Sequence, residues 1–284
     1  MTFSLLVTAR EGLEMALIVT ILLGYLRSVG QKQHFREIWI GVAAAAALSV
    51  GACVALKVAS KELDGRVQEG FEGFTMLFAV CVLTWMLFWM KRQSAGISRD
   101  LRERVDSALS NGSVAALSLL AFSAVGREGL ETALFLFAGS TSHGSDIAFL
   151  IGGLLGFGIA AGAGVVLYYG GRRLPLKHFF SVSAVLLMIL AAGLLTKALA
   201  DLHEATIIPN LGVRPWDTDQ WLPMTSSLGK FLNALVGYDS APAISQIFLY
   251  WAYLALVVTA YLLWPYLGSV KRTVTTAITQ VLRI

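Results

Sequence analysis

One pentapeptide occurs twice in this chain, each time inside a stretch otherwise apolar for the length of a lipid bilayer. Arg10-Glu11-Gly12-Leu13-Glu14 lies in an apolar run from about Phe3 to Leu26, and Arg127-Glu128-Gly129-Leu130-Glu131 in another from about Val114 to Ala138. A charged side chain at the centre of a membrane helix costs roughly 2.5–3.5 kcal/mol on the insertion scale. Two arginines and four glutamates therefore carry an unpaired cost on the order of 15 kcal/mol, comparable with the net stability of a whole domain. The folds open to such a chain are those that gather these charges away from lipid and give them partners.

Several further runs reach the ~20 residues that a spanning helix needs. With 56% hydrophobic and 14% charged residues among 284, the chain reads as a single integral membrane domain, 1–284, with no separate soluble part. The first run has no basic leader, and its first charge, Arg10, is followed at once by Glu11, so it reads as a retained helix rather than a cleaved signal. Seven spans are expected, at about 3–27, 36–59, 69–90, 114–138, 147–170, 178–202 and 246–268. The first, third and fifth loops and the C-terminal tail hold fourteen Lys and Arg, against five in the second, fourth and sixth loops. That alternation is the positive-inside pattern. It puts the N-terminus outside and the C-terminus in the cytoplasm, and it argues against nucleic acid as the reason for the net charge of +4. Cys53 and Cys81 both fall inside apolar runs and suggest neither a disulfide nor a thiolate site.

The expected fold is an all-α integral membrane protein of seven transmembrane helices, built as two inverted three-helix repeats plus a seventh helix. The first repeat covers 1–90, a cytoplasmic loop with a short charged helix covers 91–113, and the second repeat covers 114–203. An extracytoplasmic loop, 204–245, a seventh helix, 246–270, and a surface-lying cytoplasmic tail, 271–284, complete it. Each half opens with a pentapeptide helix, and an odd number of spans per half inverts the second relative to the first. Transporters of this kind bind their substrate near the midplane, between the repeats.

On a helix, residues three and four apart share a face. Glu11 and Glu14 point the same way, and Arg10 can pair with Glu14; Glu128, Glu131 and Arg127 repeat the arrangement. Arg10 lies roughly 10–12 Å into its run from outside, and Arg127 roughly 18–20 Å into its own from inside, so both fall near the middle of a ~30 Å core. Antiparallel helices crossing there can present four carboxylates, partly neutralised by two arginines, to one cavity. Gly12 and Gly129 remove bulk beside the acidic face and would let the two helices cross closely. Such a site suits a hard, oxygen-loving cation. The simpler reading, an internal salt bridge, needs one glutamate per arginine, and here there are two. A second acidic set, Glu69 and Glu72 at the start of the third span with Asp201, His203 and Glu204 at the end of the sixth, would form an outer capture site; solvated helix ends are the competing explanation. There is no nucleotide-binding loop, and no cofactor is expected.

These residues resemble the iron permease family, which includes fungal high-affinity iron permeases and bacterial EfeU-type permeases. The likeness rests on the doubled pentapeptide, on Glu69-Gly70-Phe71-Glu72-Gly73, on the run Thr84 to Met90 and on Gly237-Tyr238, and spans about residues 1–270. The resemblance, not the spacing, implies iron as the transported ion, Glu11, Glu14, Glu128 and Glu131 as its carboxylates, and Arg10 and Arg127 as their required neighbours. It also implies a separate extracytoplasmic iron-capture or oxidase partner. The lack of a targeting signal and the short chain suggest a bacterial inner membrane, and the sequence leaves room for a homo-oligomer. Carboxylate chemistry alone would equally admit manganese or lead. Paired carboxylates also serve membrane enzymes as acid and base, but the chain has no accompanying nucleophile motif.

Overall fold

The computed structural model describes residues 2–93, 97–110, 114–140, 146–170, 176–208 and 211–281. Among the described residues there are nine α-helices and no strand. They are α1 Thr2–Ser28, α2 Phe35–Glu62, α3 Gly65–Gln93, α4 Ile97–Ser110, α5 Val114–Ser140, α6 Asp146–Gly170, α7 Leu176–Glu204, α8 Ser227–Val236 and α9 Ile244–Val281. In lipid every backbone polar group must find its partner within the chain, which selects helices for apolar runs of this length.

Among the described residues, five helices are long and apolar enough to cross a membrane: α2, α3, α6, α7 and α9, the last over Ile244–Leu263. α1 and α5 are as long, 27 residues each, or about 40 Å at 1.5 Å per residue. What sets these two apart is the charged triplet near the middle of each, Arg10, Glu11 and Glu14 or Arg127, Glu128 and Glu131.

α1 packs along α6, α2 along α5 and α3 along α7, and α1 also packs against α5. Glycine sets the first two contacts. A Cβ on Gly12 would lie 2.7 Å from the Ala160 Cβ of α6, and one on Gly129 would strike Ser49 of α2. The glycines of the pentapeptide thus do not serve the crossing of α1 with α5, as the sequence suggested. Gly12 seats α1 on α6, and Gly129 seats α5 on α2.

The buried apolar residues form two clusters. One joins the first turns of α1 (Phe3, Val7) to α3, the end of α5 and α7; the other joins the last turns of α1 (Ile18 to Leu26) to α2, α4 and the start of α5. Both pentapeptides fall in the gap between them. α4, the amphipathic helix in the 91–113 segment, is not a free solvated element. Its buried Leu101, Val105 and Ala108 pack against α1 and α5, and Tyr25 donates to Asp106. α9 runs on unbroken to Val281, so most of the segment read as a separate tail continues the seventh helix; residues 282–284 lie outside the described residues. Residues 209–210, within the long loop, also lie outside them.

Gly129→Val should lower the thermal unfolding midpoint of the detergent-solubilised protein, since overpacking costs typically 1–3 kcal/mol. Gly51→Ala, whose added carbon meets nothing within 4 Å, should leave the midpoint unchanged or slightly higher. Equal effects of the two substitutions would contradict the packing assigned to Gly129.

Candidate metal centre

α1 and α5 bring their acidic faces together in the gap between the two apolar clusters. Carboxylate oxygens of Glu11, Glu128 and Glu131 lie within 4.8 Å of one another, and all three residues are buried. The arginines hold part of this set. Arg10 donates to Glu11 and lies 3.0 Å from Glu14. Arg127 Nε donates to Glu131 Oε1 at 3.0 Å and stands 3.9 Å from Glu128 Oε1. All of these contacts fall on Oε1 atoms. Oε2 of Glu11, Glu128 and Glu131 is in each case buried with no hydrogen-bond partner among the described residues.

Buried carboxylate oxygens normally have partners, and an uncompensated buried charge is strongly destabilising. Three such oxygens on three neighbouring residues form a donor set that a hard cation would complete. Glu14 stands apart from the triad. It is buried, engaged by Arg10, and within coulombic reach of Glu11, Glu128 and Glu131. The two copies of one pentapeptide are therefore used differently: the first places its leading glutamate in the triad, and the second places both.

A third helix completes the site. Met86 and Met90 of α3 accept from Arg10 through their sulfurs at 3.4 and 2.7 Å. Trp89 and Trp85 of the same turn face Arg127, whose Cζ is 3.7 and 5.3 Å from their ring centroids. The sequence reading used this run only as a point of family likeness. Its signal was present all the same: two residue pairs at i, i+4 spacing, one of sulfurs and one of aromatic rings, in a single turn.

The outer acidic set is also assembled. α3 and α7 meet at Gly73, where an added Cβ would come within 2.9 Å of Leu202. Asp201 consequently lies within coulombic reach of Glu72, Glu204 and Glu69, with Lys197 beside it. Asp201 Oδ2 is buried without a hydrogen-bond partner among the described residues. Glu72 accepts from Ser60 and Gln68 at 2.6 and 2.9 Å. His203 Nδ1 sits 2.8 Å from the Ile208 carbonyl, which fixes the ring through that nitrogen and leaves Nε2 as its other ligand atom. Asp201 and Glu204 line a cavity of about 670 Å³ bounded by α7, α8, α9 and the loop around Trp216, and Phe3 of α1 also lines it.

The Iron permease FTR1 family matches the chain over residues 1–275. Similar proteins include the ferrous iron permease EfeU of Escherichia coli O6:K15:H31 (strain 536), 35% identical over 268 residues that cover 93% of this chain and 96% of that one. Another is the ferrous iron permease EfeU of Yersinia pestis, 35% identical over 262 residues, or 92% and 93% of the two chains. No solved structure matches.

If the triad binds a cation, titrating the purified protein with Mn²⁺ as an oxygen-seeking probe should reveal a saturable site. Glu128→Gln should weaken it at least tenfold, or about 1.4 kcal/mol. Glu14→Gln should weaken it less, since that residue already engages Arg10. Unchanged binding in Glu128→Gln would remove the triad as the site.

Proposed function

Because the chain belongs to the Iron permease FTR1 family, we propose that it imports ferrous iron across the bacterial cytoplasmic membrane through the buried carboxylates of α1 and α5. The proteins it matches are named as permeases, and it is an integral membrane transporter rather than an enzyme. The observation that carries the proposal is the triad of Glu11, Glu128 and Glu131, each with one buried oxygen lacking a hydrogen-bond partner among the described residues. Glu14 stands next to it as the fourth carboxylate, and with all four ionised Arg10 and Arg127 hold the charge excess to about two. An excess of that size attracts a divalent cation yet still lets it leave, which conduction requires.

In this reading α1, α2 and α3 form one half and α5, α6 and α7 an inverted copy, with α9 as the seventh span. The packing supports it. Exchanging the two halves turns the α1–α6 contact into α5–α2, and returns α3–α7 and α1–α5 to themselves. The motif glycines obey the same exchange, Gly12 against α6 and Gly129 against α2. α1 and α5 cross the membrane despite their charges because those charges face each other and not lipid. The distribution of Lys and Arg puts the N-terminus outside and the C-terminus in the cytoplasm.

Iron enters on the outer side through Glu69, Glu72, Asp201, His203 and Glu204 and the cavity beside them, delivered by a separate extracytoplasmic iron-capture protein. It then passes to the triad at mid-membrane. His203 stays in the outer set, since its Nδ1 contact with the Ile208 carbonyl leaves Nε2 as the nitrogen a metal would take.

Cells making the wild-type chain should take up radiolabelled iron supplied with ascorbate, and Glu11→Gln and Glu131→Gln should each reduce the initial rate at least tenfold. Arg10→Lys should also impair uptake, because a point charge cannot replace a guanidinium that spans Glu11 and Glu14. Wild-type rates in the glutamate variants, at equal membrane abundance, would reject the carboxylate pathway.

A further inference from the structure

The two arginines are held in different ways. Arg10 is enclosed, with its side chain 4% exposed, and contacts two carboxylates and two sulfurs. Arg127 is 28% exposed, makes one carboxylate hydrogen bond, and has a buried Nη2 with no hydrogen-bond partner among the described residues. What faces its guanidinium is the Trp89 ring at 3.7 Å, with Trp85 farther out at 5.3 Å. A guanidinium over an indole face is the most favourable cation–π arrangement, and it gains strength where water is excluded.

The position so fixed matters for the triad. Arg127 Nε is hydrogen-bonded to Glu131 and 3.9 Å from Glu128. A shift of roughly an ångström would bring it within hydrogen-bonding range of Glu128 as well. Glu128 is the triad member with no arginine hydrogen bond; Glu11 and Glu131 already share theirs. A guanidinium drawn onto Glu128 would neutralise the one triad carboxylate without an arginine hydrogen bond.

We propose that Trp89, supported by Trp85, is a positioning residue for the ion site: it keeps the Arg127 guanidinium on the Glu131 side and leaves Glu128 free to receive the cation. This inference rests on the carboxylate reading of the site. Trp89 does not touch the ion and acts only through Arg127. Its effect therefore falls on affinity, and depends on the ring's electrostatics as well as on its bulk.

The test is the KM and maximal rate of radiolabelled iron uptake, normalised to membrane abundance, in Trp89→Leu, Trp89→Met, Trp89→Phe and Trp89→Tyr. The two ring-less variants should raise KM about tenfold with a smaller change in maximal rate, and the two ring-bearing variants about threefold or less. Fluorotryptophan incorporated throughout the chain, which weakens the ring's negative face and barely alters its shape, should raise KM in the wild type but not in Trp89→Phe. This second arm decides the matter if the ring-less variants fail to accumulate. An unchanged KM on fluorination, or equal KM values across ring-bearing and ring-less variants, would overturn the proposal. Glu128→Gln run alongside separates the two ideas. If it transports normally, the carboxylate reading fails; if it is inactive while Trp89→Leu keeps the wild-type KM, only the positioning role fails.

Discussion

Four buried carboxylates and two guanidiniums share the gap between two apolar clusters, and this imbalance organises the protein. The arginines lower the charge without removing it, and they leave one oxygen on each glutamate of the triad, and Glu14 Oε1 as well, without a hydrogen-bond partner among the described residues. An arrangement of this kind is poor as a structural salt bridge, because a buried pair is worth having only when its remaining lone pairs are satisfied. It is coherent when a cation visits. The two apolar clusters on either side supply the burial that holds the helices together while the charged layer between them stays incompletely paired.

The close helix contacts serve that layer from behind. Gly12 and Gly129 let α1 and α5 seat on α6 and α2 with their acidic faces turned inward. Close approach through small residues replaces the hydrophobic drive that lipid does not provide between helices. α3 then closes the site with one turn of mixed character, sulfurs toward one arginine and indoles toward the other. The copies of the pentapeptide thereby become chemically distinct, although their sequences are the same. Arg10 is locked between Glu11 and Glu14, whereas Arg127 is shared between one carboxylate and an aromatic face. Any account of ion movement through the site has to begin from this asymmetry.

The outer acidic residues show how far linear reasoning reaches. Glu69 and Glu72 are more than 120 positions from Asp201, yet the topology placed both at the same end of the molecule, and α3 packs on α7 there. His203 belongs to the same helical end, but its ring nitrogen lies against the Ile208 carbonyl, a local bond that no pattern of charges announces. In the same way α4 was legible as a charged amphipathic helix, while its docking on α1 and α5 depends on the groove those helices leave.

From the sequence alone follow the helical class, the approximate extents of the long apolar helices, and the pairing of each arginine with the glutamate four residues on. These depend on period and length, which belong to the chain itself. The sequence also marks out the glutamates that α1 and α5 bury together, because charge in an apolar run is costly wherever the run ends up. Which three of the four glutamates converge was decided by the tertiary structure, as were the helix each motif glycine meets and the α3 turn that receives both guanidiniums. The reason is geometric. Identical local sequences differ only through their neighbours, and the helices that flank α1 and α5 are not identical.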